Sequence, residues 1–351
     1  MARTGVDALL LGPSADLRYL TGYAPPPLER PTLLVVPAAK EPVLVVPALE
    51  RALAEDAGTG EIAHISSWEE TEDPYGIVRS AIPGAPRILA VSDRMWATFL
   101  LSLQSTFPGA AFERASRITA PLRIRKDPDE IDALRRAGAA ADRVARALAG
   151  EKVSGRTEKE VSRWISEALL AEGCERVGFA IVGSGPNAAS PHHEPGARVI
   201  APGDALVCDF GGPVDGYCSD ITRTFVVGEP PEGFEKAYAV LAAAQEAAVA
   251  AVRPGVAAQD VDAAARTRIA DAGFGDAFVH RTGHGIGLEE HEDPYIVAGN
   301  HEPLETGMAF SVEPGIYLRG RFGLRIEDIV VVTGGGVERL NLATREPVVL
   351  P

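Results

Sequence analysis

The sequence predicts a chain in two parts, a small α/β domain over residues 1–122 and a larger α+β domain over residues 123–351. Three observations carry this. Residues 1–122 alternate short apolar strands with helical patches, as a small α/β layer does. A polar break, Arg123-Ile124-Arg125-Lys126-Asp127-Pro128, follows. Beyond it a helix, helix, hairpin order occurs twice at a spacing of roughly 100 residues, which points to a duplicated α+β unit.

In the first part, strands are expected over 8–11, 32–36, 43–46 and 88–91, and helices over 15–20, 49–56 and 95–104. It holds no phosphate loop, metal cluster or nucleophile motif, and His64 reads as structural. The second part opens on a helix with Asp127 as N-cap and Pro128 at its first position, running to about residue 148. Thr157-Glu158-Lys159-Glu160 is a capping box for a second helix, whose apolar face is Val161, Trp164, Ile165, Ala168 and Leu169 and whose stop is Gly173. Two more helices are expected over 232–252 and 256–272.

The 351 residues are 46% hydrophobic and 24% charged, ordinary globular values, and the formal charge of −15 excludes a nucleic-acid or anionic-membrane partner. Cys174, Cys208 and Cys218 read as buried free thiols rather than a disulfide framework. The N-terminus lacks a signal-peptide pattern, and no apolar run approaches the roughly 20 residues needed to span a bilayer, so a cytoplasmic protein is expected.

The chemistry concentrates between Leu206 and Glu327. Apolar runs over 205–208 and 221–227 flank a Gly/Pro/Asp cluster and read as a hairpin. With its turn centred between Val214 and Asp215, Asp209 and Asp220 oppose each other, about 5 Å apart, an arrangement that demands a cation. A second hairpin surrounds Arg319-Gly320-Arg321, with Glu313 and Glu327 symmetric about Gly320. His284 lies between glycines in Gly283-His284-Gly285-Ile286-Gly287, which leaves its imidazole accessible as a ligand. Four carboxylates and one imidazole make a hard, oxygen-rich donor set, suited to Mn²⁺ and open to Co²⁺, Fe²⁺ or Zn²⁺. Four negative ligands balance two divalent ions, which favours a two-metal site and hydrolysis of a carbonyl-type bond. His192 and His291, in loops, are candidate donors to a leaving amine or a tetrahedral intermediate. Arg325, on the Glu327 strand, is a candidate to orient a ligand carboxylate or to bind substrate.

Asp-x10-Asp, Gly-His-Gly-Ile-Gly-Leu-x2-His-Glu, Val-Glu-Pro-Gly-Ile-Tyr and Arg-Ile-Glu-Asp together resemble the pita-bread metallopeptidases, and within them the prolidase and aminopeptidase P branch, over roughly residues 127–345. The N-terminal part is similar in size and pattern to the creatinase/prolidase N-terminal domain. The resemblance implies a pita-bread catalytic domain and a dinuclear centre, commonly manganese, held by Asp209, Asp220, His284, Glu313 and Glu327. It further implies Glu313 as general base, His192 at the leaving nitrogen or the intermediate with His291 assisting, and a homodimer. The implied substrate is a proline-containing di- or oligopeptide cut at the Xaa-Pro bond. Xaa-Pro dipeptidase activity is preferred over an aminopeptidase P acting on longer peptides, because the chain is short and its N-terminal domain compact. A non-peptidase hydrolase or lyase on the same fold is the other class, and retention of all five ligands counts against its metal-free form. One position departs from the pattern. Some archaeal-type prolidases carry an arginine after His-Glu-x-Pro, suited to a dipeptide's carboxylate, where this chain has Tyr295. Arg30, in Glu29-Arg30-Pro31, is a candidate substitute.

Overall fold

The helix signals act where the sequence places them. Asp127 and Glu130 close a reciprocal capping box on the 21-residue helix Pro128–Leu148, and Thr157 and Glu160 do the same for Glu158–Ala171. Each box satisfies two backbone donors that a helix start leaves unpaired, worth about 1 kcal/mol when its N-cap is compared with alanine. The computed structural model describes residues 4–351, and the chain divides into two units, Met1–Arg123 and Ile124–Pro351.

The N-terminal unit is built on a six-stranded sheet in the order His64–Trp68, Val43–Pro47, Leu33–Pro37, Ala8–Leu11, Ile88–Val91, Ala111–Arg114. Ala8–Leu11 pairs antiparallel with one neighbour and parallel with the other. All four of its residues are buried, and alternation sends Leu9 and Leu11 into one apolar cluster and Ala8 and Leu10 into a second. Such a strand reads as a continuous apolar run. Both edge strands and the helices Pro74–Ala81 and Ser116–Arg123 escape the sequence reading. Edge strands bury less, so His64-Ile65-Ser66-Ser67-Trp68 carries little apolar signal. Arg30 is engaged on the surface by Glu70 at 2.6 Å and Glu29 at 2.8 Å.

The C-terminal unit repeats one arrangement, a helix pair packed on a sheet. Pro128–Leu148 and Glu158–Ala171 pack against the sheet Val348–Leu350, Ile221–Val227, Ala205–Gly211, Phe179–Ser184, through Ala141, Val144, Val161 and Ile165 meeting Cys208, Phe210 and Ile221. Phe234–Ala251 and Ala258–Asp271 pack against the sheet Glu292–Ile296, Gly283–Gly285, Ala309–Val312, Asp328–Thr333, Gly336–Arg339, through Leu241, Ala244, Val261 and Ala265 meeting Phe310, Val312 and Val330. The three cysteines are buried and free. Among the described residues, no helix is long and apolar enough to cross a membrane.

The hairpin registers divide. In the first, Thr222 rather than Asp220 stands opposite Asp209. The turn is Asp215-Gly216, with φ of 51° and 84°, centred one residue later than expected. A two-residue turn with positive φ at both positions suits Asp-Gly and matches the twist of the flanking strands. The correction moves Asp209 and Asp220 from directly opposed to diagonal. A two-residue shift preserves the face, where a one-residue shift would have reversed it. The second hairpin has the register read from the sequence: Val312 faces Asp328 and Gly315 faces Arg325. Glu313 and Glu327 therefore face one another in the gap between those two ladders.

Candidate metal centre

Each sheet supplies part of the site, and the interrupted hairpin supplies the rest. Asp209 lies near the end of Ala205–Gly211, Asp220 immediately precedes Ile221–Val227, and His284 is the middle residue of Gly283–Gly285. In the gap, the Glu313 N–H donates to the Thr282 carbonyl at 2.8 Å and the Glu327 N–H to the Thr222 carbonyl at 3.1 Å. Each glutamate is thus fixed by a strand outside its own hairpin. The glycines flanking His284 are required by close approach: a Cβ at Gly283 would meet the Ser311 carbonyl at 1.8 Å, and one at Gly285 the Asp293 carbonyl at 2.2 Å.

The structure brings the five expected ligands together. Single ligand atoms of Asp220, His284 and Glu327 all lie within 4.8 Å of one another. His284 Nε2 stands 3.3 Å from Glu313 Oε1 and 3.7 Å from Asp220 Oδ2. Asp209 adjoins them, held by an ion pair with Arg325. His284 Nδ1 is 3.1 Å from the Gly285 carbonyl, which can only accept, so Nδ1 carries the proton and Nε2 keeps its lone pair toward the carboxylates. Burial first, and then the neighbouring His291, pushes the His284 pKa down to about 3, so the ring stays neutral as a ligand must.

These residues fit a divalent metal. Asp209 Oδ1, Asp220 Oδ1 and Glu327 Oε1 are buried with no hydrogen-bond partner among the described residues. Burial raises the Asp220 carboxyl well above its ordinary value, with Glu327, Asp209 and Glu313 adding to the shift. Burial likewise raises Glu327, and it pushes Glu313 up to about 7. Buried carboxylates without partners are costly unless protonated or neutralised by a cation, and the hard donor set matches such a cation.

That electrostatic state fixes a pH dependence. Because the folded carboxyls have raised pKa values, their contribution to metal-free stability is fully present below the unfolded carboxylate range, near 4.5, and is lost as pH rises through about 7. Metal binding needs the ionised forms. The rise in Tm on saturation with Mn²⁺ is therefore expected to be larger at pH 8 than at pH 5.5. Differential scanning fluorimetry of chelated and reloaded protein reads this directly, and equal rises at the two pH values would contradict it.

His291 is exposed, and its ring centroid lies 3.9 Å from that of His284. His192 is also exposed, in a loop tethered at both neighbours: the Pro191 carbonyl accepts from Arg325 Nη1 at 3.2 Å, and His193 Nε2 lies 2.8 Å from buried Glu158. His193 is accordingly a structural anchor.

Arg325 is committed to the frame of the site. It is 2% exposed, and its guanidinium donates to Asp209, to Thr222 Oγ1 at 2.9 Å, to Tyr317 Oη at 3.0 Å and to the Pro191 carbonyl. Its bonds hold Asp209 and the His192 loop, which matches the first of the two roles read from sequence, orienting a ligand carboxylate. Tyr317 continues the network to His280 Nε2 at 2.8 Å, while His280 Nδ1 lies 2.7 Å from the Arg281 carbonyl. That carbonyl forces the proton onto Nδ1, so Nε2 accepts from the Tyr317 hydroxyl. Burial, with a contribution from Arg325, pushes the His280 pKa down to about 4, consistent with a neutral ring. The sequence reading missed His280 and Tyr317. Thr222 was within reach of it, being two residues beyond Asp220 on the same strand.

Comparison with known proteins places this site in context. The profile for metallopeptidase family M24 matches residues 132–334, and that for the creatinase/prolidase N-terminal domain matches residues 1–125. A probable dipeptidase PepE of Mycobacterium tuberculosis is 47% identical over 352 residues, covering 100% of this chain and 94% of that one. An Xaa-Pro dipeptidase of Lactobacillus delbrueckii subsp. lactis is 34% identical over 365 residues, covering 100% and 97%. The crystal structure of dipeptidase PepE from Mycobacterium ulcerans superposes with a TM-score of 0.93 at 48% identity, covering 99% of this chain and 94% of that chain.

Proposed function

This chain belongs to metallopeptidase family M24, and from that membership we propose that it hydrolyses Xaa-Pro dipeptides. The observation that carries the reading is the buried cluster itself, in which Asp220, Glu327 and Glu313 gather around the free nitrogen of His284, while Asp209, Asp220 and Glu327 each keep a buried carboxylate oxygen without a partner. These five residues would hold two divalent ions, Mn²⁺ being the best match to the donors. When bound, such ions supply Lewis-acid activation of water and of the scissile carbonyl. Glu313 then serves as general base: its carboxyl lies nearest the His284 nitrogen, accepts a hydrogen bond from Ser311 at 3.1 Å and is otherwise poised to take a proton. His192 and His291, both exposed, donate to the departing proline nitrogen and to the developing oxyanion. Arg325 keeps the Asp209 carboxylate aimed inward. The reading carries with it a homodimer acting in the cytoplasm.

The test compares Ala-Pro with Ala-Pro-Ala, using protein stripped by chelation and reloaded with Mn²⁺. Cleavage of Ala-Pro with sparing of Ala-Pro-Ala is expected. Cleavage of the tripeptide alone would replace the dipeptidase reading with an aminopeptidase, and cleavage of neither would remove the Xaa-Pro assignment.

A further inference from the structure

Building on the peptidase reading, we propose that Arg281, stacked on Tyr295, binds the free C-terminal carboxylate of the substrate and so sets its length. The Arg281 backbone sits in a rigid frame. Its carbonyl is bonded to His280, the His280 carbonyl accepts from Arg266 Nη2 at 2.8 Å, and the Thr282 N–H and hydroxyl both donate to buried Asp262 Oδ1, at 3.1 and 2.8 Å. From that frame the guanidinium carbon reaches 4.5 Å from the centroid of the Tyr295 ring. Tyr295 pairs directly with His284 across adjacent strands, so the stacked cation stands beside the ligand strand.

Arg281 differs from the other arginines around it. Arg223, Arg266, Arg325 and Arg339 each meet a carboxylate. Arg281 is half-buried, yet among the described residues no carboxylate lies within ion-pair distance and its guanidinium makes no hydrogen bond. In a chain of formal charge −15, a cation left without an acid beside a candidate catalytic centre is available to an anion that arrives from outside. Its positive charge also acts on His291, His284 and Glu313, which sets it close to the site. Stacking on an aromatic face holds a guanidinium plane in place while leaving its N–H edge free, and that edge matches a carboxylate bidentately. Tyr295, which in sequence looked like the loss of a carboxylate-binding cation, instead carries one from the segment just before the neighbouring strand. A dipeptide places its carboxylate one residue beyond the scissile bond, whereas an amide or a longer peptide offers none there.

The test pairs each peptide acid with its amide. Mn²⁺-loaded wild type is expected to prefer Ala-Pro over Ala-prolinamide. R281M keeps the apolar stem against Tyr295 and removes the charge, so KM for Ala-Pro should rise about 10- to 100-fold with kcat little changed, the range of a charge-assisted hydrogen bond. The acid-over-amide preference should collapse, and R281K should recover part of both. An R281M enzyme with wild-type KM and an unchanged acid-to-amide ratio overturns the proposal, as does a wild type indifferent to the carboxylate. If wild type spares Ala-Pro but cleaves Leu-Leu, the Xaa-Pro assignment fails, and Arg281 is judged by the same comparison on Leu-Leu and leucyl-leucinamide. If it cleaves neither, the thermal shift induced by each acid and its amide decides. An acid-specific shift in wild type that is lost in R281M upholds the proposal, and its absence from wild type, or its persistence in R281M, overturns it.

Discussion

Replacing Asp220 by asparagine is expected to lower kcat/KM on Ala-Pro at least about a thousandfold, since loss of metal activation removes several kcal/mol of transition-state stabilisation. Elemental analysis is expected to find two divalent ions in wild type and at most one in the variant. The same substitution should not destabilise the metal-free protein. Asp220 is 4% exposed and its carboxyl is raised by burial and by three neighbouring acids, so an amide of the same shape relieves repulsion. Metal-free D220N is therefore expected to melt at or above metal-free wild type, and saturating Mn²⁺ should reverse the order. Unchanged activity, or an unchanged metal content, would sink the assignment of Asp220 as a ligand.

The largest effect on stability is expected at the next residue along from a ligand. Asp328 follows Glu327, and its side chain is fully buried among Arg223 at 2.7 Å, Arg339 at 2.5 Å and Arg345 at 2.9 Å, with Gln245 at 3.2 Å. Arg223 also donates to the Glu327 carbonyl at 2.5 Å. Truncating Asp328 to alanine strands buried guanidinium charge and should cost about 3–5 kcal/mol. For a unit of this size that is a fall in Tm of roughly 10 °C or more, readable by thermal or urea unfolding. Glu246, 70% exposed in its bridge to Arg339, supplies the control, and its alanine variant should stay within about 0.5 kcal/mol of wild type. Equal effects at the two positions would show that the buried cluster contributes no more than a surface pair.

Much of this molecule was legible in its residues, for reasons that differ by element. The N-cap at Asp127 and the capping box at Thr157 are local chemistry, so they read correctly without knowledge of the fold. The five candidate ligands stood out in the sequence, four as acids beside apolar runs and His284 as an imidazole between glycines, and the Gly320-centred hairpin gave its true register. The Asp209 hairpin did not, because the Asp215-Gly216 turn signal was set one residue too early. Arg325 was the hardest to judge, and Arg281 drew no reading at all. Whether an arginine is consumed or available depends on partners that sequence separates by more than a hundred positions, as with Arg325 and Asp209, or on their absence, as with Arg281. The short edge strands of the N-terminal unit lacked signal because they bury little.

The gap in the second hairpin has a consequence for assembly. Glu313 is anchored through Thr282, just before the strand Gly283–Gly285 of one sheet, and Glu327 through Thr222, within the other sheet. The aspartates come from one sheet and the histidine from the other. Neither half of the catalytic unit, folded by itself, would own a complete coordination shell. A metal bound by all five would thus act as a rivet across the pseudo-repeat, and the tightness of its retention would report whether the two halves are correctly docked.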